Sequence, residues 1–314
     1  MPHTTALLAD PIYREHLVGR DHPERPERFD AVYQALQKSG ILKRVERVEP
    51  RSATQEELLL CHTRDYLRIA QHDVEAGFLS LTTGDTDVTP NSWEIARKAA
   101  GGVMQAVDAV LTGKARNAFC AVRPPGHHAT PNRGMGFCLL NNIALGARYA
   151  QRKHGVERVM IVDWDVHHGN GTQDIFYSDP TVFFFSTHQW PLYPGTGRAD
   201  ETGAGPAVGT KMNFPFPAGS GRKEILGAVQ DSLVPAADKF RPNLIMISAG
   251  FDSRVGDLLG GFTLNDRDFT DLTRVVMDMA ARHAHDRIVS VLEGGYTLNG
   301  LASAALAHVE ALMS

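Results

Sequence analysis

Five apolar runs rich in β-branched and aromatic residues alternate with helical patterns, and this alternation is what most constrains the fold. The runs span residues 117–122, 158–166, 181–188, 244–251 and 287–295, and helices are expected near 26–38, 92–112, 140–154, 222–239, 267–285 and 299–312. Continuous apolar runs indicate strands that are buried on both faces, as in parallel sheets covered by helices. The sequence therefore predicts an α/β fold with a mostly parallel sheet flanked by helices.

Composition agrees with a folded globular chain and excludes several classes of protein. Of 314 residues, 43% are hydrophobic and 22% are charged, and 32 basic against 36 acidic residues give a formal charge of −4. That balance provides no general attraction to nucleic acid or to an anionic membrane. No apolar run is long enough to span a bilayer. Because no repeat, low-complexity tract or interdomain linker is present, residues 1–314 are predicted to form a single domain.

Cysteine usage and the first residues predict the cellular compartment. The three cysteines, Cys61, Cys120 and Cys138, are widely spaced and form no C-x-x-C pair. A disulfide framework is therefore not expected. The stretch MPHTTALLADPIYREH lacks a basic segment followed by an apolar one, so no signal peptide is predicted. We expect a cytoplasmic protein.

Two segments are expected to be loops. Residues 189–221 are dense in Gly and Pro, and a structureless connection of this length in a compact domain is usually functional. Residues 77–91 are a shorter loop candidate.

Polar clusters follow four of the predicted strands. They read RPPGHHA, DWDVHHGNGT, AGFDS and EGGY. In open parallel sheets, ligands bind beyond the carboxyl ends of the strands. The four clusters are therefore expected to converge on one site, although they are far apart in the sequence.

The cluster DWDVHH places ionisable side chains directly after an apolar run. Side chains two residues apart on a strand share a face, so Asp163, Asp165 and His167 are expected to point the same way. Asp252, after a different strand, can complete a set of three ligands with Asp165 and His167. Three protein ligands and one open position are typical of a catalytic zinc site. Without Asp252, the pair would equally fit polar groups satisfied by the backbone at a strand end.

The cluster RPPGHHA places two histidines side by side. The prolines restrict the loop and the glycine permits a tight bend. Adjacent imidazoles near a metal can act as general base and general acid, whereas the alternative is a structural pair.

Tyr296, after a Gly-Gly turn, can donate a hydrogen bond to an oxyanion, although a tyrosine there can also serve packing.

Taken together and in this order, RPPGHHA, GFC, DWDVHHGNGT, YPGTG, AGFDS and LEGGY resemble the histone deacetylase/acetylpolyamine amidohydrolase family. HPERPER and CHTRDYL extend the similarity toward the N-terminus, so that it covers almost the whole chain. Asn170 and LEGGY are more similar to class II and bacterial deacetylase-like members than to class I. The resemblance implies the three-layer arginase/deacetylase fold and the removal of an acetyl group from an N-acetylated amine.

The resemblance also implies the catalytic residues and the metal ligands. These are His127, His128, Tyr296, Asp163 and Asn170 for catalysis, and Asp165, His167 and Asp252 for one zinc ion. In the family, the first histidine pairs with the residue at 163 and the second with the residue at 170. Because Asp163 is anionic and Asn170 is neutral, we predict that His127 stays protonated and that His128 is the general base. His168 is expected to have a structural role in the turn.

Substrate and potassium sites are implied by the same similarity. The acyl-lysine channel is expected to include Gly136, Phe137, Tyr193, Leu259, Gly294 and a rim aspartate, Asp85, with Asp87 as an alternative. Potassium is expected near Asp163, Asp165, His167, Ser186 and Thr187, in part through backbone carbonyls. Arg28 matches an arginine near an internal exit path for acetate.

Three alternatives differ from this interpretation in their residue patterns. A ureohydrolase shares the fold but has a two-manganese site that resembles D-x-H-x-D and D-x-D. Here Gly169 and Arg254 stand at the positions of the additional carboxylates, which favours one metal. A zincin protease requires H-E-x-x-H, which is not present. A non-catalytic acyl-lysine binder would be expected to lack the tyrosine or one of the histidines, and both are present.

The sequence leaves the substrate open between acetyl-lysine in a protein or peptide, a small acetylpolyamine and another acylated amine. Some polyamine-selective members of the family have a glutamate at the channel mouth where this chain has Leu259, which provides no charge for a distal ammonium. A homo-oligomer, which can narrow such an entrance, is also left open. Neither a nucleic acid nor a membrane is expected as a partner.

Overall fold

The computed structural model describes residues 4–314, and a sheet of parallel strands forms its centre. The strands are β1 (Thr5–Leu8), β2 (Glu46–Arg47), β3 (Asn117–Cys120), β4 (Val159–Asp163), β5 (Val182–Gln189), β6 (Lys211–Phe216), β7 (Leu244–Ala249) and β8 (Ile288–Leu292). Within the described range they form an eight-stranded sheet in the order β2-β1-β3-β8-β7-β4-β5-β6. Every neighbouring pair is parallel, so all carboxyl ends lie at one edge. The predicted parallel α/β sheet is confirmed.

Helices fill the connections between the strands. They are α1 (Glu27–Lys38), α2 (Gln55–Leu58), α3 (Arg64–Glu75), α4 (Ser92–Leu111), α5 (Asn142–His154), α6 (Asn170–Phe176), α7 (Arg222–Ala228), α8 (Val234–Phe240), α9 (Asp266–His283) and α10 (Leu298–Leu312). A π-helical turn, Val229–Leu233, separates α7 from α8, where the sequence predicted one helix. Pro235 explains the interruption, because it lacks the N–H that a continuous α-helix requires there.

The two faces of the sheet are buried under different helices. In β4, Val159 and Ile161 belong to a core shared with α3, α4 and α5. Met160 and Val162 belong to a second core, shared with α1, α9 and α10. Burial on both faces explains why the strands read as uninterrupted apolar runs. The result is three layers, with helices on each side of the sheet.

The structure differs from the sequence expectations in the long loop and at the strand ends. Residues 189–221 are not a continuous loop, because they include a short 3-10 helix, Gly205–Ala207, and the edge strand β6. Pro215 concealed that strand, and it is tolerated because an edge strand need not donate every N–H. The strand predicted at 158–166 ends at Asp163, so Asp165 and His167 lie in the following loop.

Neither a disulfide nor a membrane-spanning helix is found among residues 4–314. Cys61, Cys120 and Cys138 are buried free thiols, and burial raises the pKa of Cys61 to about 12. The helices of this range are too short or too polar to cross a bilayer.

Candidate active site

Asp165, His167 and Asp252 converge in the loops that follow β4 and β7. His167 Nδ1 lies 3.0 Å from Asp165 Oδ1 and 3.2 Å from Asp252 Oδ2, and all three side chains are buried. Across the part of the chain that the structure describes, these residues form a group whose ligand atoms all lie within 4.8 Å of one another. The structure thus brings together the three residues predicted as metal ligands.

Local hydrogen bonds between residues two apart, rather than a continuing strand, orient these side chains. The Asp163 carboxylate accepts the N–H of Asp165 at 3.1 Å, and the Asp165 carboxylate accepts the N–H of His167 at 2.9 Å. Aspartate commonly stabilises a turn by binding the N–H two residues further on. Trp164 and Val166, which alternate with them, are buried in the apolar core. Polar and apolar side chains therefore continue to alternate beyond the strand. Hydrogen bonds from backbone N–H groups to the aspartates cause this, whereas the prediction relied on strand geometry.

Two glycines allow the ligand carboxylates to approach each other. A Cβ at Gly294 would lie 1.9 Å from Asp252 Oδ2, and a Cβ at Gly250 would lie 2.1 Å from Asp165 Oδ2. The N–H of Gly294 also donates to Asp165 Oδ2 at 2.8 Å. Gly294 was predicted along the substrate channel, whereas the structure places it against the ligand carboxylates.

The donor set fits a divalent cation. Burial and the like charge of Asp165 raise the pKa of Asp252 to about 7. Burial would lower the pKa of His167, but hydrogen bonds to Asp165 and Asp252, together with their charges, raise it to about 10. Protons therefore offset the charge of two buried carboxylates, and a bound cation would replace them. One nitrogen and two oxygen ligands suit zinc.

The structure disfavours a second metal ion beside the first. A Cβ at Gly169 would lie 2.2 Å from Asp163 Oδ2 and 3.3 Å from His127 Nδ1, so a ligand side chain there would displace that pair. Arg254 forms an ion pair with Asp266 at 2.6 Å. Neither position can offer the additional carboxylate of the two-metal pattern.

The two histidines of RPPGHHA lie side by side with different partners. Their ring centroids are 4.0 Å apart. His127 Nδ1 lies 3.0 Å from Asp163 Oδ2, and His128 Nδ1 lies 2.8 Å from Asn170 Oδ1. Both pairings match those that the resemblance implied.

The pKa values of the two imidazoles are shifted in opposite directions. Burial opposes a charge on His127, but the nearby carboxylates, Asp165 and Asp163 foremost, raise its pKa to about 10. Burial and the positive charges of His127 and His167 hold the pKa of His128 well below its ordinary value. A metal cation bound at His167 would act on His128 in the same direction. Near neutral pH, His128 is therefore the unprotonated member of the pair.

Glu293, which sequence reasoning missed, supports the backbone of the histidine turn. Its Oε2 accepts the N–H groups of Gly126 at 2.7 Å and His127 at 3.1 Å, and its Oε1 accepts the Ser248 hydroxyl at 3.0 Å. The side chain is fully buried, and burial raises its pKa to about 7. A signal was present in the sequence, because Glu293 follows an apolar strand directly, just as Asp163 ends one.

Tyr296 is positioned by contacts to its backbone and its ring. Its N–H donates to Asp257 Oδ2 at 2.7 Å, and the Phe137 ring packs against it edge-on at 5.9 Å. The Arg28 guanidinium lies 4.9 Å from the ring centroid and donates to the Gly295 carbonyl at 2.7 Å. Burial raises the pKa of Tyr296 well above its ordinary value, so the hydroxyl keeps its proton and can donate. The acetate path near Arg28 stays a prediction.

A cavity of about 360 Å³ connects these groups to the surface. Its walls are Asp85, His128, Gly136, Phe137, His167, Leu192, Tyr193, Leu259 and Tyr296. We call this cavity the channel. Apart from Gly294, the residues predicted to bind substrate all line it, and Leu192 is an addition.

Asp85, rather than Asp87, lies on the channel wall. Its carboxylate accepts the Gly136 N–H at 2.8 Å and the Tyr193 hydroxyl at 3.0 Å. Asp87 instead forms an ion pair with Arg20 at 3.2 Å. The geometry therefore favours Asp85 for the predicted rim position.

The residues predicted to hold potassium lie where β4 and β5 run side by side. Asp163 is in register with Ser186, and the Ser186 hydroxyl is hydrogen-bonded to His188 Nδ1 at 3.0 Å. Thr187 is buried beside them. Potassium binding stays a prediction.

His168 anchors the loop that carries Tyr193. Its Nδ1 lies 2.8 Å from Thr196 Oγ1, its Nε2 lies 3.2 Å from Gln173 Oε1, and its ring packs on His188 at 4.7 Å. These contacts agree with the structural role expected for it.

Comparison with known proteins decides the family. A sequence profile for the histone deacetylase domain matches residues 22–312. The chain belongs to the histone deacetylase family. Membership supports the predicted arginase/deacetylase fold and the general activity, which is that of a deacetylase or amidohydrolase and hence a hydrolase.

Relatives within the histone deacetylase family cover most of this chain. A probable deacetylase of Archaeoglobus fulgidus is 40% identical over 298 residues, which are 94% of this chain and 82% of the relative. A histone deacetylase-like amidohydrolase of Pseudomonas aeruginosa is 40% identical over 292 residues, covering 93% and 77%. The human polyamine deacetylase HDAC10 is 38% identical over 302 residues, covering 92% and 44%. The crystal structure of the HDA15 HD domain aligns with a TM-score of 0.93 at 36% identity, covering 99% and 89%.

Replacing Gly136 with alanine tests the close packing of the channel wall. Gly136 has a φ of +55°, and its Cβ would lie 2.3 Å from His128 Cδ2. We expect Gly136→Ala to lower kcat/KM for deacetylation by about tenfold or more, because His128 must move.

Gly155→Ala is the matched control. Its φ is +67° and nothing lies within 4 Å of the added Cβ, so it carries a similar backbone strain without the clash. Equal losses of activity in the two variants would show that backbone strain, and not the contact with His128, is responsible.

Proposed function

We propose that this protein is a zinc-dependent deacetylase that hydrolyses the N-acetyl amide of acetylated lysine in proteins or peptides. The channel is the observation that carries the proposal, because it joins the rings of Phe137 and Tyr193 to His128, His167 and Tyr296. Aromatic walls suit the apolar stem of an acylated lysine, and polar groups at one end suit the amide. The comparisons support the general reaction, and the substrate and the metal are our inference.

Asp165, His167 and Asp252 would hold the zinc ion. When bound, zinc supplies Lewis acidity toward the acyl carbonyl and makes a water molecule more acidic. Two of the three ligands are carboxylates, which leave the ion with little net charge. Donors from the protein itself therefore matter more here than in a site built from three histidines.

His128 is proposed as the general base. Its hydrogen bond to Asn170 orients the ring without adding charge, and the lowered pKa leaves the imidazole free to accept a proton from the attacking water. His127, held protonated beside Asp163, stabilises the negative charge that develops on the substrate. A protonated histidine of this pair then donates a proton to the leaving amine.

Tyr296 is proposed as the oxyanion donor. The hydroxyl lines the channel, retains its proton and, within residues 4–314, makes no hydrogen bond to the protein. It is therefore free to donate to the acyl oxygen as the carbonyl becomes tetrahedral.

Removal of the hydroxyl gives a direct test. Tyr296→Phe should lower kcat by about 100-fold or more, because a single oxyanion donor contributes on the order of 3 kcal/mol to the transition state. KM for an amide substrate should change little, since the hydrogen bond strengthens only during the reaction. Comparable losses in substrate binding and in kcat would contradict the role.

The general-base assignment predicts a pH effect. Asn170→Asp places a carboxylate against His128 Nδ1, which stabilises the imidazolium and raises the pKa of His128. Since the base must be unprotonated, the acidic limb of the kcat/KM profile should move to higher pH. If that limb stays where it is in the wild type, His128 is not the base.

The function itself is tested with matched substrates. We expect zinc-loaded protein to hydrolyse acetyl-lysine peptides with a higher kcat/KM than acetylputrescine or acetylspermidine. Chelation should abolish the activity and zinc should restore it. No hydrolysis of any of these amides by the zinc-loaded protein would overturn the proposal.

An acetylpolyamine deacetylase is the second candidate, and the similarity to the human polyamine deacetylase favours it. Against it, Leu259 lines the channel where a carboxylate would be needed to bind a distal ammonium. A kcat/KM that is highest for acetylspermidine would decide for this candidate.

A further inference from the structure

A second cavity lies beside the mouth of the channel, and the proposed reaction does not use it. It has a volume of about 340 Å³ and is lined by Thr82, Thr83, Gly84, Asp85, Arg133 and Met135. Asp85 lines both this cavity and the channel. The two cavities are therefore adjacent at Asp85.

Arg133 provides the positive charge of the side cavity. Its Nε donates to the Thr83 carbonyl at 2.9 Å, which restrains the guanidinium. Among the described residues Arg133 forms no ion pair, and its other N–H groups have no protein acceptor. Its side chain is exposed, so these N–H groups are accessible to a ligand.

Thr83 also lines this cavity. Its hydroxyl oxygen is buried but has no hydrogen-bond partner in the described part of the chain. The backbone around it is held firmly, because a Cβ at Gly84 would lie 1.8 Å from the Gly134 carbonyl oxygen and 3.4 Å from Arg133 Cγ.

The acidic neighbour of these donors is already bound within the protein. Asp85 accepts hydrogen bonds from Gly136 and Tyr193, and among the described residues it forms no ion pair with Arg133, so the guanidinium keeps N–H groups for another carboxylate. A guanidinium with free N–H groups matches the two oxygens of a carboxylate. The guanidinium of Arg133 is therefore the group in this cavity that suits a carboxylate ligand.

We propose that Arg133 binds a carboxylate of the substrate, next to the acylated amine in the channel. This inference rests on the proposed function and narrows its substrate class. The carboxylate can come from an acidic residue beside acetyl-lysine in a peptide, or from the α-carboxylate of free Nε-acetyl-lysine. Acetylpolyamines carry ammonium groups instead, and Arg133 repels them.

The test compares peptides that differ in one charge. Acetyl-lysine peptides with Glu, Gln or Lys beside the acetyl-lysine are assayed for kcat/KM with zinc-loaded wild type, Arg133→Gln and Arg133→Glu. Free Nε-acetyl-lysine is compared with its α-amide to separate the two sources of the carboxylate. Arg152→Gln is the matched control, because Arg152 is an exposed arginine on α5, near the opposite edge of the sheet.

We expect the wild type and Arg152→Gln to prefer the Glu peptide over the Gln peptide by roughly two- to fivefold, as for an exposed ion pair, and to lose this preference at high salt. Arg133→Gln should reduce the ratio of kcat/KM for the Glu peptide over the Gln peptide to about one, and Arg133→Glu should favour the Lys peptide. If the wild type also has a higher kcat/KM for free Nε-acetyl-lysine than for its α-amide, and Arg133→Gln loses this preference, the α-carboxylate is a source of the bound carboxylate.

The carboxylate site would be overturned if the wild type had equal kcat/KM for the Glu and Gln peptides and equal kcat/KM for free Nε-acetyl-lysine and its α-amide. A preference for the carboxylate that persists in Arg133→Gln would overturn it as well. Dissociation constants of the same peptides are measured in parallel. If no peptide is hydrolysed but the charge preference in binding depends on Arg133, the proposed function fails and the site stands. If binding shows no such dependence, the site fails as well.

Discussion

Negative charge buried at one edge of the sheet is the constraint on which the rest of the structure depends. Four carboxylates are fully buried where β4, β7 and β8 end: Asp163, Asp165, Asp252 and Glu293. Ionised carboxylates in a protein interior cost several kcal/mol unless they are compensated. Backbone N–H groups and His127 compensate Glu293 and Asp163. Asp165 and Asp252 accept the backbone N–H groups of Gly294, His167 and Val166, and they share the imidazole of His167. A bound cation would complete that balance, and the histidine pair proposed for proton transfer lies beside the proposed metal site.

The same charge distribution separates the two histidines. Their rings are neighbours in sequence and in space, yet one contacts a carboxylate and the other an amide. Because the carboxylates lie on the side of His127, a positive charge there is favoured and a second one on His128 is disfavoured. Two chemically identical side chains thereby acquire different protonation states without any difference in their own structure. The close approach that this requires depends on Gly169, where any side chain would collide with the first pair.

The sheet and the convergence of Asp165, His167 and Asp252 were predictable from the sequence, whereas several supporting groups were not. Long apolar runs identified the central strands because burial on both faces leaves an unmistakable pattern. β1 and β2, with four and two residues, are too short for such a pattern, and β6 contains a proline. Glu293 was missed because its role is to bind backbone N–H groups of a turn that is distant in sequence. The position of Gly294 against Asp252 and Asp165 was not predictable, because a glycine permits close approach without indicating to which neighbour.

The proposed selectivity between substrates depends on the charged groups that lack a protein partner at the mouth of the channel. Asp257, the acid nearest to Leu259 in sequence, accepts N–H groups of Tyr296, Thr297 and Leu259 and is thereby committed to the protein. On that loop an emerging substrate meets Leu259, beside the exposed side chains of Leu258 and Val255. The side cavity offers the guanidinium of Arg133 instead. An apolar surface and an unpaired cation both disfavour a polyamine, and Asp85, the carboxylate on the channel wall, already accepts two hydrogen bonds from the protein. A peptide substrate fits both features, because the residues that flank its acetyl-lysine can be apolar or acidic.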